Sequence, residues 1–119
     1  MKVAVLKETR AGERRVALVP QGVKALVKAG MEVSIEAGAG LSAGIEDDAF
    51  RESGATVAPS AADALRDAGM VLRVNPPSLA DPDEVSGLAE GSILVSFLDP
   101  LGDPALIRKL AERRISSIS

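Results

Sequence analysis

Short apolar runs alternate with amphipathic stretches along the chain. Val3-Ala4-Val5-Leu6 is the first apolar run and reads as a strand. Pro20 suits the first position of a helix, and Val23, Leu26 and Val27 fall at i, i+3 and i+4 behind it. Lys28 fits that helix's last turn and Gly30 its end. Glu32-Val33-Ser34-Ile35-Glu36 alternates polar and apolar, which predicts a strand with one solvated face or an edge position. A Gly-rich loop follows, then a short helix over 46–53 ended by Gly54, and a brief strand at Thr56-Val57-Ala58. Ser60 with Asp63 three residues on resembles a capping box for a helix over 61–68.

Two further runs are almost wholly apolar: 70–74, interrupted by Arg73, and 93–98, interrupted by Ser96. With 3–6 they are expected to be the central strands, because buried parallel strands have no polar face. Asp81-Pro82-Asp83-Glu84 and Asp103-Pro104 read as helix starts, and 115–118 begins one more strand. Strand and helix signals alternating at short spacing predict an α/β domain: three layers, α/β/α, around a mainly parallel sheet of flavodoxin-like or Rossmann-like type. At 119 residues this is one domain.

Charge crowds the exit of the first strand. Between Lys7 and Val16 only Ala11 and Val16 have apolar side chains, and Lys7, Glu8, Arg10, Glu13, Arg14 and Arg15 fill most of the rest. In open α/β sheets ligands bind at the carboxyl ends of the strands. Arg15 is the leading candidate there, either gripping an anionic group bidentately or pairing structurally with Glu8 or Glu13. Arg73 needs a partner if it is buried, Asp99 being the candidate; the favoured reading has it reach from the strand end into water. Gly38-Ala39-Gly40-Leu41-Ser42-Ala43 matches a pyrophosphate turn in letters, but the next helix starts too late, so a plain loop is favoured. Asn75-Pro76-Pro77 and Asp99-Pro100 end strands and either border a cleft or serve as exits.

Composition narrows the chemistry. There is no cysteine and no histidine, so disulfides, thiolate metal sites and a His-based triad are excluded. A net charge of −3, with two Phe, no Tyr and no Trp, gives no footprint for nucleic acid. No apolar run is long enough to insert into a membrane.

Lys7-Glu8, Glu13, Arg15-Val16-Ala17 and Pro20 together resemble the start of the alanine dehydrogenase and pyridine nucleotide transhydrogenase family. The likeness continues through Val33 to Glu36 with Gly38 and Gly40, Gly54-Ala55, Val71 to Val74, and Leu94 to Pro100. The resemblance implies a dehydrogenase or a transhydrogenase, and two positions separate them. Family dehydrogenases carry a substrate lysine where this chain has Asn75, and a catalytic histidine where it has Asp99. Both positions look like the α subunit of the proton-translocating transhydrogenase branch. That likeness implies hydride transfer between NAD(H) and NADP(H), coupled to proton movement across a membrane. NAD would be held by the intact subunit, in a Rossmann domain beyond Ser119, and NADP by a partner subunit; no cofactor is expected on these 119 residues alone. It also implies an α-subunit homodimer on the cytoplasmic side, peripheral to the membrane through partner subunits. Arg15 and Asp99 would line the cofactor cleft, with no catalytic or metal-binding residue in this segment. The rival readings are a fragment of an alanine-dehydrogenase-like enzyme and a non-catalytic flavodoxin-like interaction domain.

Overall fold

The computed structural model describes residues 1–75, 77, 87–96 and 104–118. Among the described residues six strands form one sheet: β1 (Lys2–Val5), β2 (Glu32–Glu36), β3 (Thr56–Ala58), β4 (Met70–Leu72), β5 (Ile93–Val95) and β6 (Ser116–Ile118). Every pairing is parallel and the order is β3-β2-β1-β4-β5-β6. That order is the Rossmann one, which decides against the flavodoxin alternative. β1 is held centrally, with Val3 opposite Val33 on one side and Met70 on the other.

Alternate residues of the strands feed two cores, one on each face of the sheet. Val5, Val33 and Ile35 pack with Val23 of α1 (Pro20–Lys28) and Phe50 of α2 (Asp47–Glu52). Ala4, Val71 and Leu94 pack with Ala64 of α3 (Ala61–Leu65) and Leu110 of α4 (Pro104–Glu112). The three layers follow from this two-sided burial. Gly40 serves the first core by what it lacks: a Cβ there would lie 2.6 Å from Phe50 Cε2 and 2.8 Å from the Ile45 carbonyl oxygen.

Local signals act as the pattern suggests. Pro20 starts α1, and Gly30 follows it with φ +90°, a left-handed conformation that suits glycine. Ser60 caps α3, its Oγ accepting from the Asp63 amide at 3.2 Å. That helix is shorter than expected and stops at Leu65, before Asp67 turns left-handed at φ +60°.

One expectation fails. β2 is neither an edge strand nor half solvated: it lies between β1 and β3, and Ser34 is only 3% exposed. Serine is small enough to sit under α3, so polarity at that position does not mean solvent. The expected helix start at 81–84, and positions 97–98 of the run at 93–98, lie outside the described residues.

Candidate functional site

The strand order reverses direction at β1, whose neighbours β2 and β4 are reached by connections on opposite sides. This is the switch point at which open α/β sheets form a crevice. Residues 7–15, leaving β1, meet residues 73–75, leaving β4, at that point.

Glu8 is the centre of the junction. Its carboxylate accepts from the backbone amides of Val74 at 2.9 Å and Asn75 at 3.0 Å, and from Asn75 Nδ2 at 3.3 Å. Arg73 Nη2 lies 3.9 Å from Glu8 Oε1, and the two side chains are 2% and 3% exposed. Arg73 therefore does not reach into water as the sequence suggests. It is a buried cation beside a buried anion. Asn75 Nδ2 also donates to Glu13 Oε1 at 2.9 Å, so one amide bridges two carboxylates. Glu13 in turn takes both Nε and Nη2 of Arg15, each at 2.9 Å, together with the Arg15 backbone amide. Of the two partners proposed for Arg15, Glu13 is the one that binds it. Asp99, the other expected cleft residue, lies outside the described residues.

A pocket of about 430 Å³ opens beside this network, lined by Arg15, Val16, Ala17, Leu72, Arg73, Val74, Val95 and Ser96. Its lining is chiefly apolar. Arg15 stands at its rim with a side chain 64% exposed, while Glu13 behind it is 8% exposed.

Comparison with known proteins agrees with this architecture. Residues 4–119 match the alanine dehydrogenase/PNT N-terminal domain. The chain belongs to this family. It is 44% identical over 119 aligned positions to the first part of NAD(P) transhydrogenase subunit alpha of Rhodospirillum rubrum, covering 98% of this chain and 31% of that protein. It is 35% identical to an alanine dehydrogenase of Methanococcus maripaludis, covering 100% of this chain and 31% of that one. A crystal structure of a transhydrogenase from Sinorhizobium meliloti superposes with a TM-score of 0.92 at 34% identity, covering 100% of this chain and 34% of that one. The chain thus spans about a third of the length of these relatives.

In a member of this oxidoreductase family, the glycine turn after β2 invites comparison with a phosphate cradle. It does not fit. The Gly38 amide donates to Asp47 Oδ1 at 2.9 Å, and the amides of Ala39, Leu41 and Ala43 donate to nearby backbone carbonyls. The acidic end of β2 is also taken, since Glu36 Oε2 accepts from the Lys7 amide at 2.9 Å. Among the described residues no group of three or more carboxylates could hold a metal ion, and no helix is long and apolar enough to cross a membrane.

Glu13, in the loop that leaves β1, is strongly perturbed. The Arg15 side chain, then the Arg15 amide and Asn75, hold its carboxyl down from 4.5 to about 2. Glu13 reciprocally raises Arg15. A depressed folded pKa means a contribution to stability that is present above about pH 4.5 and disappears as pH falls through about 2. The Glu13 Cδ resonance is therefore expected to titrate near pH 2, and Arg15→Gln should move its midpoint upward. A midpoint near 4.5 in the unsubstituted protein would show that the clamp is not formed in solution.

Glu8 as the carboxylate that meets Arg73 is a residue the sequence pattern alone does not single out. The available signal is an arginine inside an apolar strand, which demands an anion from the strand beside it. The first carboxylate after β1 is Glu8.

Proposed function

We propose that this chain is the first part of an NAD(P) transhydrogenase α subunit. The intact complex would pass hydride between NAD(H) and NADP(H), coupled to proton movement across a membrane. The observation that carries this reading is Asn75. At the exit of β4 it supplies a neutral amide spanning Glu8 and Glu13, where the family's dehydrogenases use a lysine. An amide neither holds a substrate's charge nor carries a proton, so amine oxidation is poorly served here. Hydride transfer between two nicotinamides depends on positioning the rings and asks for no side-chain acid or base.

NAD(H) would be held by the rest of the subunit, because the Gly38, Ala39, Leu41 and Ala43 amides and the β2 carboxylate are occupied internally. Arg15, at the pocket rim, and Asp99 would border the cleft that faces it. The NADP-binding and membrane subunits are the expected partners, with an α-subunit homodimer on the cytoplasmic side.

The test is an assay of the full-length protein. It should reduce an NADP analogue from NADH only when its membrane partner subunits are supplied, and it should not turn over alanine or pyruvate with NAD(H). Robust alanine oxidation would replace this reading with the dehydrogenase one.

A further inference from the structure

We infer that an amphipathic helix of the same subunit, from outside residues 1–119, packs across β4, β5 and β6 on the sheet face that carries α1 and α2. The register defines that face. Val3, Met70, Ile93 and Ser116 stand in one row, and Val5, Leu72, Val95 and Ile118 in the next. At β1 the rows are closed: Val3 and Val5 are fully buried, and Val5 packs with Val23 of α1 and Phe50 of α2. Away from β1 they open. Met70, Leu72, Ile93 and Val95 are half-buried, and Ile118 is 56% exposed. Among the described residues Met70, Ile93, Val95 and Ile118 join neither core. Of these, only Val95 also lines the pocket at the β1 exit.

The other side of β4 and β5 is closed. Val71 and Leu94 are buried there with Ala64 of α3 and Leu110 of α4. These two strands are therefore apolar on both faces and fully covered on one. Parallel strands of this kind are covered on both, because the chain returns over the sheet as helices.

The size of the open area points to its occupant. Strands about 4.8 Å apart leave about 10 Å between β4 and β6, the width of one helix. With two rows about 7 Å apart, the area is on the order of 200 Å². A stable dimer buries about 800 Å² on each partner, so a second copy of the chain is poorly served. A segment of the same subunit is held at high effective concentration and needs no such area. Ser116 is the one polar residue in these rows over β4 to β6, so an apolar stripe at i, i+3, i+4 and i+7 suits the face. The relatives have the length to supply it, since this chain covers 31% of the Rhodospirillum and Methanococcus proteins and 34% of the Sinorhizobium one.

The sheet needs this cover whether or not the intact protein is a transhydrogenase. The test involves no hydride transfer, so failure of one reading leaves the other standing. Residues 1–119 contain no cysteine, so Ser116→Cys in the full-length protein puts a single thiol on this face with little change of shape. Its alkylation by iodoacetamide, located by peptide mass spectrometry, should be at least about tenfold slower in the folded protein than in urea, because the reagent reaches it only when the helix opens.

Met70 identifies the occupant without any substitution. A diazirine analogue of methionine, incorporated during growth, should link position 70 to a segment outside residues 1–119, in a product with the mass of one subunit. Alkylation slowed by less than about tenfold would overturn the inference. So would a link to a second copy, to another protein, or to nothing outside residues 1–119.

Discussion

Glu8→Ala is expected to cost about 3–5 kcal/mol of stability, the range for breaking a buried ion pair from one side. The loss has two sources. Arg73 would keep its charge in a place where its side chain is 2% exposed, now without this carboxylate. The amides of Val74 and Asn75 would lose their acceptor in a region largely closed to water. Against a total of about 5–15 kcal/mol for a typical domain, that is a large fraction. Hydrogen exchange of the Val5 and Val71 amides in the full-length protein would read it, since both lie in the central pair of strands. Glu8→Leu combined with Arg73→Met should recover the part of the loss owed to the buried charge, while the Val74 and Asn75 amides still lack the Glu8 acceptor. Protection unchanged by Glu8→Ala alone would mean that the β1 and β4 exits are not joined in this way.

Phe50→Ala should cost a similar amount, about 3–5 kcal/mol, by a different mechanism. The ring is fully buried among Val23, Val33, Ile35 and Ala55. Its other neighbour is Gly40, whose missing side chain is what makes room for the ring. Gly40 has no side chain to move into the space left behind, so much of the cavity should persist and the cost fall toward the upper end. Exchange of the Ile35 and Ala55 amides should accelerate accordingly. A loss below about 1 kcal/mol would show that the α2 layer collapses onto the sheet.

The fold is legible in the sequence where information is local. Proline at the start of α1, glycine after its end, and serine capping α3 act within a few residues, and each element begins where its signal stands. The apolar runs at 3–6, 70–74 and 93–98 supply β1, β4 and β5, all internal to the sheet. Legibility ends where meaning depends on what lies across the sheet. Ser34 has the alternating pattern of an exposed strand, yet β1, β3 and α3 enclose it. Arg73 suggests the commoner fate of a charged side chain because its partner Glu8 stands far earlier in the chain, on another strand's exit. The clamp on Arg15 is half legible. Glu13 is close in sequence and is an evident partner, but Asn75, which anchors Glu13 from the far side, reads as a strand exit or cleft border and as a departure from the family's lysine, not as a partner of Glu13.

The junction at Glu8 has a consequence for how this domain meets its surroundings. Two consecutive backbone amides, those of Val74 and Asn75, converge on one carboxylate at the crevice of a sheet with the Rossmann order. Converging amides of this kind are what nucleotide-binding proteins offer to a phosphate. Here the chain fills that place with an anion of its own. The domain carries an internal ligand, covalently attached, that ties the exits of β1 and β4 together. Whatever docks against this face meets strand exits already joined by the chain's own carboxylate and has less to order there.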